Sequence, residues 1–380
     1  MNNLFNFIKS LLSLINFIKL ENKKKEFVFF SESKFYREHF IDLILELKKR
    51  GQSNIILITM DQDDIKYFKE HIKSFLISNY IILKLFFIIL KCRFMIMTLP
   101  DLGNHIIKSK NCDFYVYFYH ALGSTHKIYT KEAFKNYEII FTNGQYQSKE
   151  LRKAEVEYNF PRKEIVNIGY FFLDHLKKKV NLNIKKKNNI LFAPSWNYNE
   201  KNLFNDYSLQ IISRLLTNNF SVTLRPHPEH YKRSKKIIEK IIDTYANDKN
   251  FTIDKNYSNI KSLEKANILI TDNSSIVFEY LLIFKRPIVY INYVDKIHNK
   301  NSHQLNLSTI DNELKKKFGN IILINELNDL TLICRNLMEN SNLNSESVDE
   351  FANEYISNLN HSSAYAAEYL IAKSKSLNKI

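Results

Sequence analysis

The chain alternates short, strongly apolar runs with stretches of helical periodicity, and this alternation constrains the fold most. The runs EFVFFS, NIILIT, RFMIMT, DFYVYFY and EIIFT follow one another between residues 26 and 142, separated by helical stretches such as 35–49. Continuous apolar strands between helices are typical of a parallel sheet covered on both faces. Residues 26–180 are therefore predicted to form a doubly wound, Rossmann-like α/β domain.

A second unit of the same kind follows a polar, lysine-rich segment at 177–189 that is suited to a linker. Its predicted strands are NILFAPS, FSVTLRP, FTID, NILITD and PIVYIN, within a domain at 189–345, and a helical region follows at 346–380. A chain of 380 residues is long enough for two cores. Two such domains imply a cleft, and ligands bind such sheets beyond the carboxyl ends of the strands.

Several function classes are disfavoured by composition. With only 6 glycines the chain has neither G-x-x-x-x-G-K nor G-x-G-x-x-G. The 3 cysteines are far apart, which fits a reducing, cytoplasmic setting and provides no metal-ligand spacing. We expect no cofactor, and no metal site is indicated.

The chain is strongly basic, with 55 Lys+Arg against 40 Asp+Glu and a net charge of +15. Such a charge favours a polyanionic partner: nucleic acid, an anionic membrane or a phosphate-bearing substrate. The alternative is a lysine, asparagine and isoleucine bias imposed by an AT-rich genome. No nucleic-acid-binding module is recognisable, so nucleic acid is the least favoured partner.

Two apolar segments bear on membranes. Residues 1–25 read as an amphipathic, basic segment without a secretory cleavage signal, suited to the surface of an anionic bilayer or, alternatively, to packing on the protein's own core. The stretch from Phe75 to Leu90 approaches transmembrane length but contains Lys84. We predict a helix there that leads into the next strand rather than a membrane span.

Candidate site residues follow the predicted strands. His120 comes directly after DFYVYFY and is a candidate general base, although a histidine there can also simply satisfy a buried carbonyl. The tight turn after it, with Gly123, Ser124 and Thr125, is predicted to open an acceptor site. His126 is predicted to be accessory or on the surface.

Three further strand ends suggest phosphate and nucleotide binding. RPHP places Arg225 two residues from His227, a combination suited to phosphate, and His227 is also a candidate catalytic residue. TDNSS, with Asp272, Ser274 and Ser275, precedes an apolar helix, so backbone N–H groups and hydroxyls there form a candidate anion site, although one capping residue would explain part of it.

Aromatic and acidic residues complete the candidate donor site. Ser195 and Trp196 lie in APSW, where the only tryptophan can stack on a base or merely pack. Glu279 can accept from a ribose hydroxyl or be a solvated helix charge.

These strings, in this order, resemble the CDP-glycerol glycerophosphotransferase family, which builds teichoic acids and related polyol-phosphate polymers. The resemblance covers residues 26–292 and rests on YHALGSTHK, APSW, RPHP, TDNSS and FKRPIVYIN. After His120 the chain has Ala-Leu-Gly where the family usually has Gly-x-Pro, so the acceptor loop is expected to differ.

The resemblance implies a glycosyltransferase-B architecture and transfer of glycerol phosphate, or a related polyol phosphate, from a CDP-linked donor to a glycan or lipid-linked acceptor. It implies that His120 is the general base, that Arg225 and His227 contact the donor pyrophosphate, and that Ser274 and Ser275 bind its phosphate. The expected place is the inner face of the cell membrane. A glycosyltransferase that uses a CMP- or UDP-linked sugar is the alternative.

Overall fold

The computed structural model describes residues 2–100, 102–104, 106–184, 188–256, 258–340 and 343–377. Residues 185–187 of the predicted linker, residue 1 of the amino-terminal segment and residues 378–380 of the carboxyl-terminal region lie outside this range. The chain divides into two compact units. The first comprises Met1–Ala121, Lys131–His175 and Tyr355–Ile380, and the second comprises Leu122–Thr130 and Leu176–Glu354.

Each unit is built on one parallel sheet. The strands, in chain order, are β1 (Phe27–Ser31), β2 (Ile55–Thr59), β3 (Lys73–Leu76), β4 (Cys92–Met97), β5 (Cys112–Phe118), β6 (Ile139–Thr142), β7 (Glu164–Asn167), β8 (Asn189–Phe192), β9 (Ser221–Leu224), β10 (Phe251–Ile253), β11 (Ile268–Thr271), β12 (Ile288–Asn292) and β13 (Gly319–Leu323). The first sheet has the order β3-β2-β1-β4-β5-β6-β7, and the second has the order β10-β9-β8-β11-β12-β13. The predicted α/β class is confirmed.

Helices connect the strands. In chain order they are α1 (Asn2–Ile18), α2 (Arg37–Lys49), α3 (Gln62–Phe68), α4 (Tyr80–Ile89), α5 (Thr125–Ile128), α6 (Gln145–Glu157), α7 (Phe171–Lys179), α8 (Leu203–Thr217), α9 (Pro228–Arg233), α10 (Lys235–Tyr245), α11 (Ile260–Lys265), α12 (Ile276–Glu279), α13 (Ile310–Phe318), α14 (Leu330–Asn340), α15 (Ser345–Tyr355) and α16 (Ser362–Leu377). A buried π-helical turn, Tyr280–Phe284, continues α12.

All ten runs predicted as strands are strands, and the structure adds three that the sequence did not reveal. The additional strands β3, β7 and β13 all lie at sheet edges. Their residues are partly exposed, whereas β1 and β2 are buried throughout. An edge strand is not covered on both sides, so it lacks the continuous apolar run that identifies a central strand.

The prediction of one helix from Phe75 to Leu90 is wrong in its first part. Phe75 belongs to β3, and the helix α4 begins only at Tyr80. The break occurs at Asn79, whose side-chain oxygen accepts hydrogen bonds from the backbone N–H groups of Ile81 and Ile82 at 3.0 and 3.2 Å. An asparagine N-cap starts a new helix inside an otherwise apolar run.

The carboxyl-terminal region is divided between the units rather than forming a region of its own. α15 lies in the second unit except for its last residue, whereas α16 returns to the first unit and packs on α2. Ala366, Ala367 and Leu370 of α16 are fully buried in the first core together with the strands β1 and β4. The core of the first unit therefore includes a helix that follows the second unit in the chain.

Candidate functional site

The residues predicted for donor binding follow three adjacent strands of the second sheet. Trp196 follows β8, His227 follows β9, and Ser274 and Ser275 follow β11. Because β9, β8, β11 and β12 are neighbours and run parallel, their carboxyl ends lie along one edge. This edge, where open α/β sheets bind ligands, is named the donor edge here.

Asp272 and Ser195 join the two central loops of the donor edge. The Asp272 carboxylate accepts hydrogen bonds from the Ser195 backbone N–H at 2.7 Å and from its hydroxyl at 2.9 Å, and both residues are buried. Burial raises the pKa of Asp272, although the hydrogen bonds from Ser195 and Asn273 oppose that effect. The two side chains hydrogen-bond to each other, as is typical of residues that hold loops in position.

Ser274 and Ser275 stand where α12 begins. Ser275 occupies the N-cap position, and its side chain makes no capping hydrogen bond. Both serines are partly exposed, while Glu279, one turn further on, is 5% exposed. The interpretation of Glu279 as a solvated helix charge is therefore wrong. The arrangement leaves hydroxyls and helix N–H groups at the donor edge, where an anion is stabilised by the helix dipole.

Trp196 is the centre of a cluster of aromatic and basic side chains. Its ring centroid lies 4.7 Å from those of Tyr198 and His298, and 5.8 Å from that of His227. The Arg233 guanidinium lies 5.3 Å from the Trp196 centroid. A half-exposed indole surrounded by positive charge can stack on a base and hold an anionic ligand together.

His227 and Arg225 both have roles in the local structure. The Nδ1 atom of His227 accepts a hydrogen bond from the Glu229 backbone N–H at 3.2 Å and so caps α9. Arg225 forms an ion pair with the buried Asp254. Burial opposes ionisation of Asp254, but the Ser262 hydrogen bond and the Arg225 charge outweigh it and lower its pKa. Arg225 thus stabilises the RPHP loop, and its predicted phosphate contact stays a prediction.

Lys296 and His298, which the sequence analysis did not identify, also belong to the donor edge. They follow β12, and the Lys296 ammonium lies 5.9 Å from the Trp196 centroid. Burial, followed by the charges of Lys296 and Arg233, lowers the pKa of His298 to about 4, so the ring is neutral at pH 7. Ligands bind beyond the carboxyl ends of strands in such sheets, and β12 is one of these strands. The position of Lys296 and His298 after β12 was therefore the signal in the sequence that could have identified them.

The predicted acceptor loop packs within the second unit. The Asp311 carboxylate accepts a hydrogen bond from the Ser124 backbone N–H at 2.9 Å, and the Ser124 hydroxyl accepts one from the Ile310 N–H at 2.9 Å. A Cβ atom on Gly123 would lie 3.2 Å from Asp311, and Thr125 is buried. His126 is 6% exposed, so its prediction as a surface residue is wrong. These two hydrogen bonds attach the segment to the start of α13.

His120 lies at the carboxyl end of β5 in the first unit. Its ring is edge-on to Tyr36 at 5.3 Å and to His39 at 6.3 Å, and its carbonyl accepts a hydrogen bond from the Tyr170 hydroxyl at 3.1 Å. Burial, then the charges of His120 and His175, place the pKa of His39 well below its usual value. His120 therefore has a neutral imidazole beside it at pH 7, which the sequence analysis did not foresee.

Metal chemistry has no evident ligand set in the described part of the chain. No group of three or more His, Cys, Asp or Glu side chains there could hold a metal ion.

Comparison with known proteins identifies relatives of the sequence and of the fold. The sequence matches the family described as CDP-Glycerol:Poly(glycerophosphate) glycerophosphotransferase over residues 12–365. It is 26% identical over 190 residues to the minor teichoic acid biosynthesis protein GgaB of Bacillus subtilis (strain 168), a match that covers 44% of this chain and 19% of that protein.

Solved structures agree on the fold. The wall teichoic acid polymerase TagF is similar with a TM-score of 0.59 and 17% identity over 99% of each chain. A glycosyltransferase from Rickettsia africae is similar with a TM-score of 0.50 and 12% identity, over 93% of this chain and 98% of that one. With the family match extending over nearly all of the sequence, the chain belongs to the CDP-glycerol:poly(glycerophosphate) glycerophosphotransferase family.

Proposed function

We propose that this protein transfers glycerol phosphate, or a related polyol phosphate, from a CDP-linked donor to a glycan or lipid-linked acceptor in the synthesis of a cell-surface polymer. The observation that carries the proposal is the donor edge. There Trp196, His227, Ser275 and Lys296 follow four adjacent parallel strands. This combination of an aromatic ring, basic groups and a helix N-terminus suits a pyrimidine nucleotide diphosphate.

The support from relatives is consistent with this donor. The family description names CDP-glycerol, and the similar polymerase TagF has been solved after soaking with CDPG. The region matched in GgaB is a minor part of that protein. The donor and acceptor of this chain are accordingly proposed from its own residues together with its family.

Each group at the donor edge has a role in the proposed complex. Trp196 stacks on the cytosine, and Ser274 and Ser275 donate to a phosphate at the start of α12. Arg225 and Lys296 supply positive charge to the pyrophosphate, and His227, whose Nδ1 accepts from Glu229, donates a hydrogen bond to it from Nε2. Glu279 accepts from a ribose hydroxyl, and Asp272 with Ser195 holds the two central loops in register.

The proposed reaction is a nucleophilic displacement at phosphorus. His120 accepts the proton of the acceptor hydroxyl as its oxygen forms a bond to the glycerol-bearing phosphorus. The bond from that phosphorus to the bridging oxygen breaks, and CMP leaves with the electron pair. The product is a phosphodiester, and positive charge at the pyrophosphate stabilises the leaving group.

The test is calorimetric binding of CDP-glycerol and CDP-ribitol beside CMP- and UDP-linked sugars. We expect selective binding of a CDP-polyol, weakened about tenfold or more in Ser275→Ala, since hydrogen bonds to charged groups contribute about 1.5–3 kcal/mol. Ser345→Ala, at an exposed serine of the same unit, is the matched control. Selective binding of a nucleotide sugar would instead identify a glycosyltransferase.

We propose in addition that the enzyme works at the inner face of the cell membrane, bound to anionic lipid through α1 and α4. Ser10, Leu14 and Phe17 of α1 are buried, and the Phe17 ring lies 5.1 Å from Phe86 of α4. The opposite face of α1 exposes apolar side chains at helical spacing, namely Leu4, Phe5, Ile8, Leu12, Ile15 and Ile18. The helix thus packs on the protein and still presents an apolar stripe outward.

The surface of α4 supports the same proposal. It exposes Tyr80, Ile81, Leu85, Ile88 and Ile89. Exposed lysines lie in or close to these helices: Lys84 is in α4, Lys19 directly follows α1, and Lys91 comes two residues after α4. Among the described residues, no helix has the length and apolar character needed to cross a bilayer. Apolar side chains beside lysines are suited to the headgroup region of an anionic membrane.

A further inference from the structure

An apolar cavity of about 180 Å³ lies in the first unit, beside α4. Eight of its lining side chains are apolar or aromatic, and two are charged; they include Phe30, Glu32, Lys84, Phe87, Leu99 and Ile107. No part of the donor edge contributes to it. Its chemistry therefore needs a separate explanation.

The cavity lies at the carboxyl end of the first sheet. Phe30 is in β1, Glu32 directly follows β1, and Leu99 comes two residues after β4. β4 pairs with β5, which His120 follows. The cavity is therefore at the same edge of the sheet as the proposed general base, on the side where this unit would bind a substrate.

One wall of the cavity is continuous with the exposed surface of α4. Tyr80, Lys84 and Phe87 line it at spacings of four and three residues, and so lie along one side of the helix. Tyr80 is 72% exposed and Ile107, also in the lining, is 45% exposed. An apolar group can consequently enter from the surface that we propose faces the lipid.

Size and charge indicate the class of occupant. An engineered apolar cavity of about 150 Å³ holds benzene, so this one has room for a short piece of hydrocarbon chain. Lys84 is exposed and forms no ion pair within the described residues, and it provides a cation at the wall for an anionic head group. A compact polar ligand would lose hydrogen bonds to water here, and the phenylalanine and leucine side chains could not replace them.

We propose that this cavity binds the hydrocarbon chain of a lipid-linked acceptor at the carbons next to its phosphate, with Lys84 beside that phosphate. The proposal deepens the proposed function, on which it rests, because it assigns a binding site to the lipid-linked class of acceptor. The first sheet then receives the acceptor at its carboxyl edge, as the second sheet receives the donor.

The test uses the full chain and geranyl phosphate, with glycerol 3-phosphate as the probe that lacks a chain. We expect calorimetry to show binding of geranyl phosphate only. Ile107→Trp, which fills the cavity from a partly exposed position, should weaken it about tenfold or more. Lys84→Glu should weaken it several-fold and leave geraniol binding nearly unchanged, which separates the head group from the chain.

A matched control separates the cavity from general adsorption to lipid. Leu12→Glu, on the exposed face of α1 and absent from the cavity lining, should leave geranyl phosphate affinity unchanged while it lowers binding to phosphatidylglycerol vesicles. Equal affinity in wild type and Ile107→Trp, or a loss that follows Leu12→Glu instead, would overturn the proposal.

Binding of CDP-glycerol distinguishes this proposal from the proposed function. Retained CDP-glycerol affinity in Ile107→Trp and Lys84→Glu would show that the second unit is intact in both variants, and an unchanged circular dichroism spectrum and unfolding transition would show that the first unit is folded. Donor binding without any geranyl phosphate binding refutes the chain site alone. Binding of geranyl phosphate in the cavity by a protein that binds no CDP-polyol refutes the proposed donor and leaves the chain site standing.

Discussion

At the scale of single residues, His120 carries the proposed chemistry. It follows the central strand β5 by two residues, with Tyr36 and the neutral His39 beside it. His120→Ala should lower turnover by about 10²- to 10⁴-fold, the usual contribution of a general base. Donor affinity should change only a few-fold, because the donor edge is in the other unit. CMP release and donor calorimetry measure the two effects.

The control for this substitution is His361→Ala, an exposed histidine of the same unit, which should have wild-type turnover. The reverse pattern in His120→Ala, with lost donor binding and retained turnover of bound donor, would contradict the role assigned to it.

His230 makes stability depend on pH. Its ring stacks on Phe204 at 4.0 Å, its Nε2 atom lies 3.2 Å from the Ser195 carbonyl, and burial lowers its pKa to about 4 from 6.5. A pKa lowered in the folded state means that the unfolded chain binds the proton more readily. Stability is therefore full above about pH 6.5 and falls as the pH drops toward 4, by about 3 kcal/mol.

Trp196 fluorescence can follow this effect, because the only tryptophan of the chain is next to Ser195 in the second unit. In urea unfolding between pH 4 and pH 7.5, His230→Gln should show a shallower loss of stability than the wild type. Glutamine retains a donor for the Ser195 carbonyl but does not titrate. An unchanged pH slope would assign the acid sensitivity to other groups.

At the scale of elements, α1 combines two faces with different tasks. Its inner face is fixed by Ser10, whose hydroxyl accepts from the Ser78 and Asn79 backbone N–H groups at 3.1 Å each. Deleting the helix would therefore expose its partner surface on α4. A substitution on the outer face is the cleaner test of membrane binding.

Leu12→Glu, at a side chain that is 56% exposed, should weaken binding to phosphatidylglycerol vesicles several-fold, since it removes apolar area and adds a repelled charge. Vesicle co-sedimentation measures this. The matched control is Leu332→Glu, at a leucine that is 59% exposed on α14 of the second unit. If both substitutions weakened binding equally, net charge rather than α1 would be responsible.

At the scale of the whole molecule, the sequence predicts the central strands of both sheets correctly and misses the edge strands β3, β7 and β13. Central strands such as β1 and β11 are buried, predominantly apolar runs that can be recognised in the sequence. The loops after the central strands of the second sheet contain most of the donor edge. The edge strand β3 and the placement of 122–130 were not predictable, because both depend on contacts distant in sequence. The Ser124 backbone N–H, for example, donates a hydrogen bond to Asp311, which is 187 residues away in the sequence.

The site shows the same limit. Residue type identified Arg225 and Asp272 as polar groups at strand ends, but it did not reveal that Asp254 pairs with the first and Ser195 with the second. Lys296 and His298 lie in a loop with no familiar motif, and their proximity to Trp196 follows from the parallel order of β8, β11 and β12.

The return of α16 makes the first unit depend on the end of the chain. Leu370 is fully buried in the first core. Leu370→Ala should lower the free energy of unfolding of that unit by about 2–5 kcal/mol, the cost of a leucine cavity. Denaturant unfolding followed by circular dichroism measures it, with Leu332→Ala as the exposed control. A loss below about 1 kcal/mol would mean that α16 is dispensable.

The division of the chain restricts how such an enzyme can be recombined. Residues 122–130 belong to the second unit although they lie between strands of the first, and 355–380 belong to the first although they follow the second. A graft of 176–354 from a relative with a different donor would sever Ser124 from the residue that corresponds to Asp311. Chimeras that exchange donor specificity should carry both pieces of the second unit, with crossovers at 121/122, 130/131, 175/176 and 354/355.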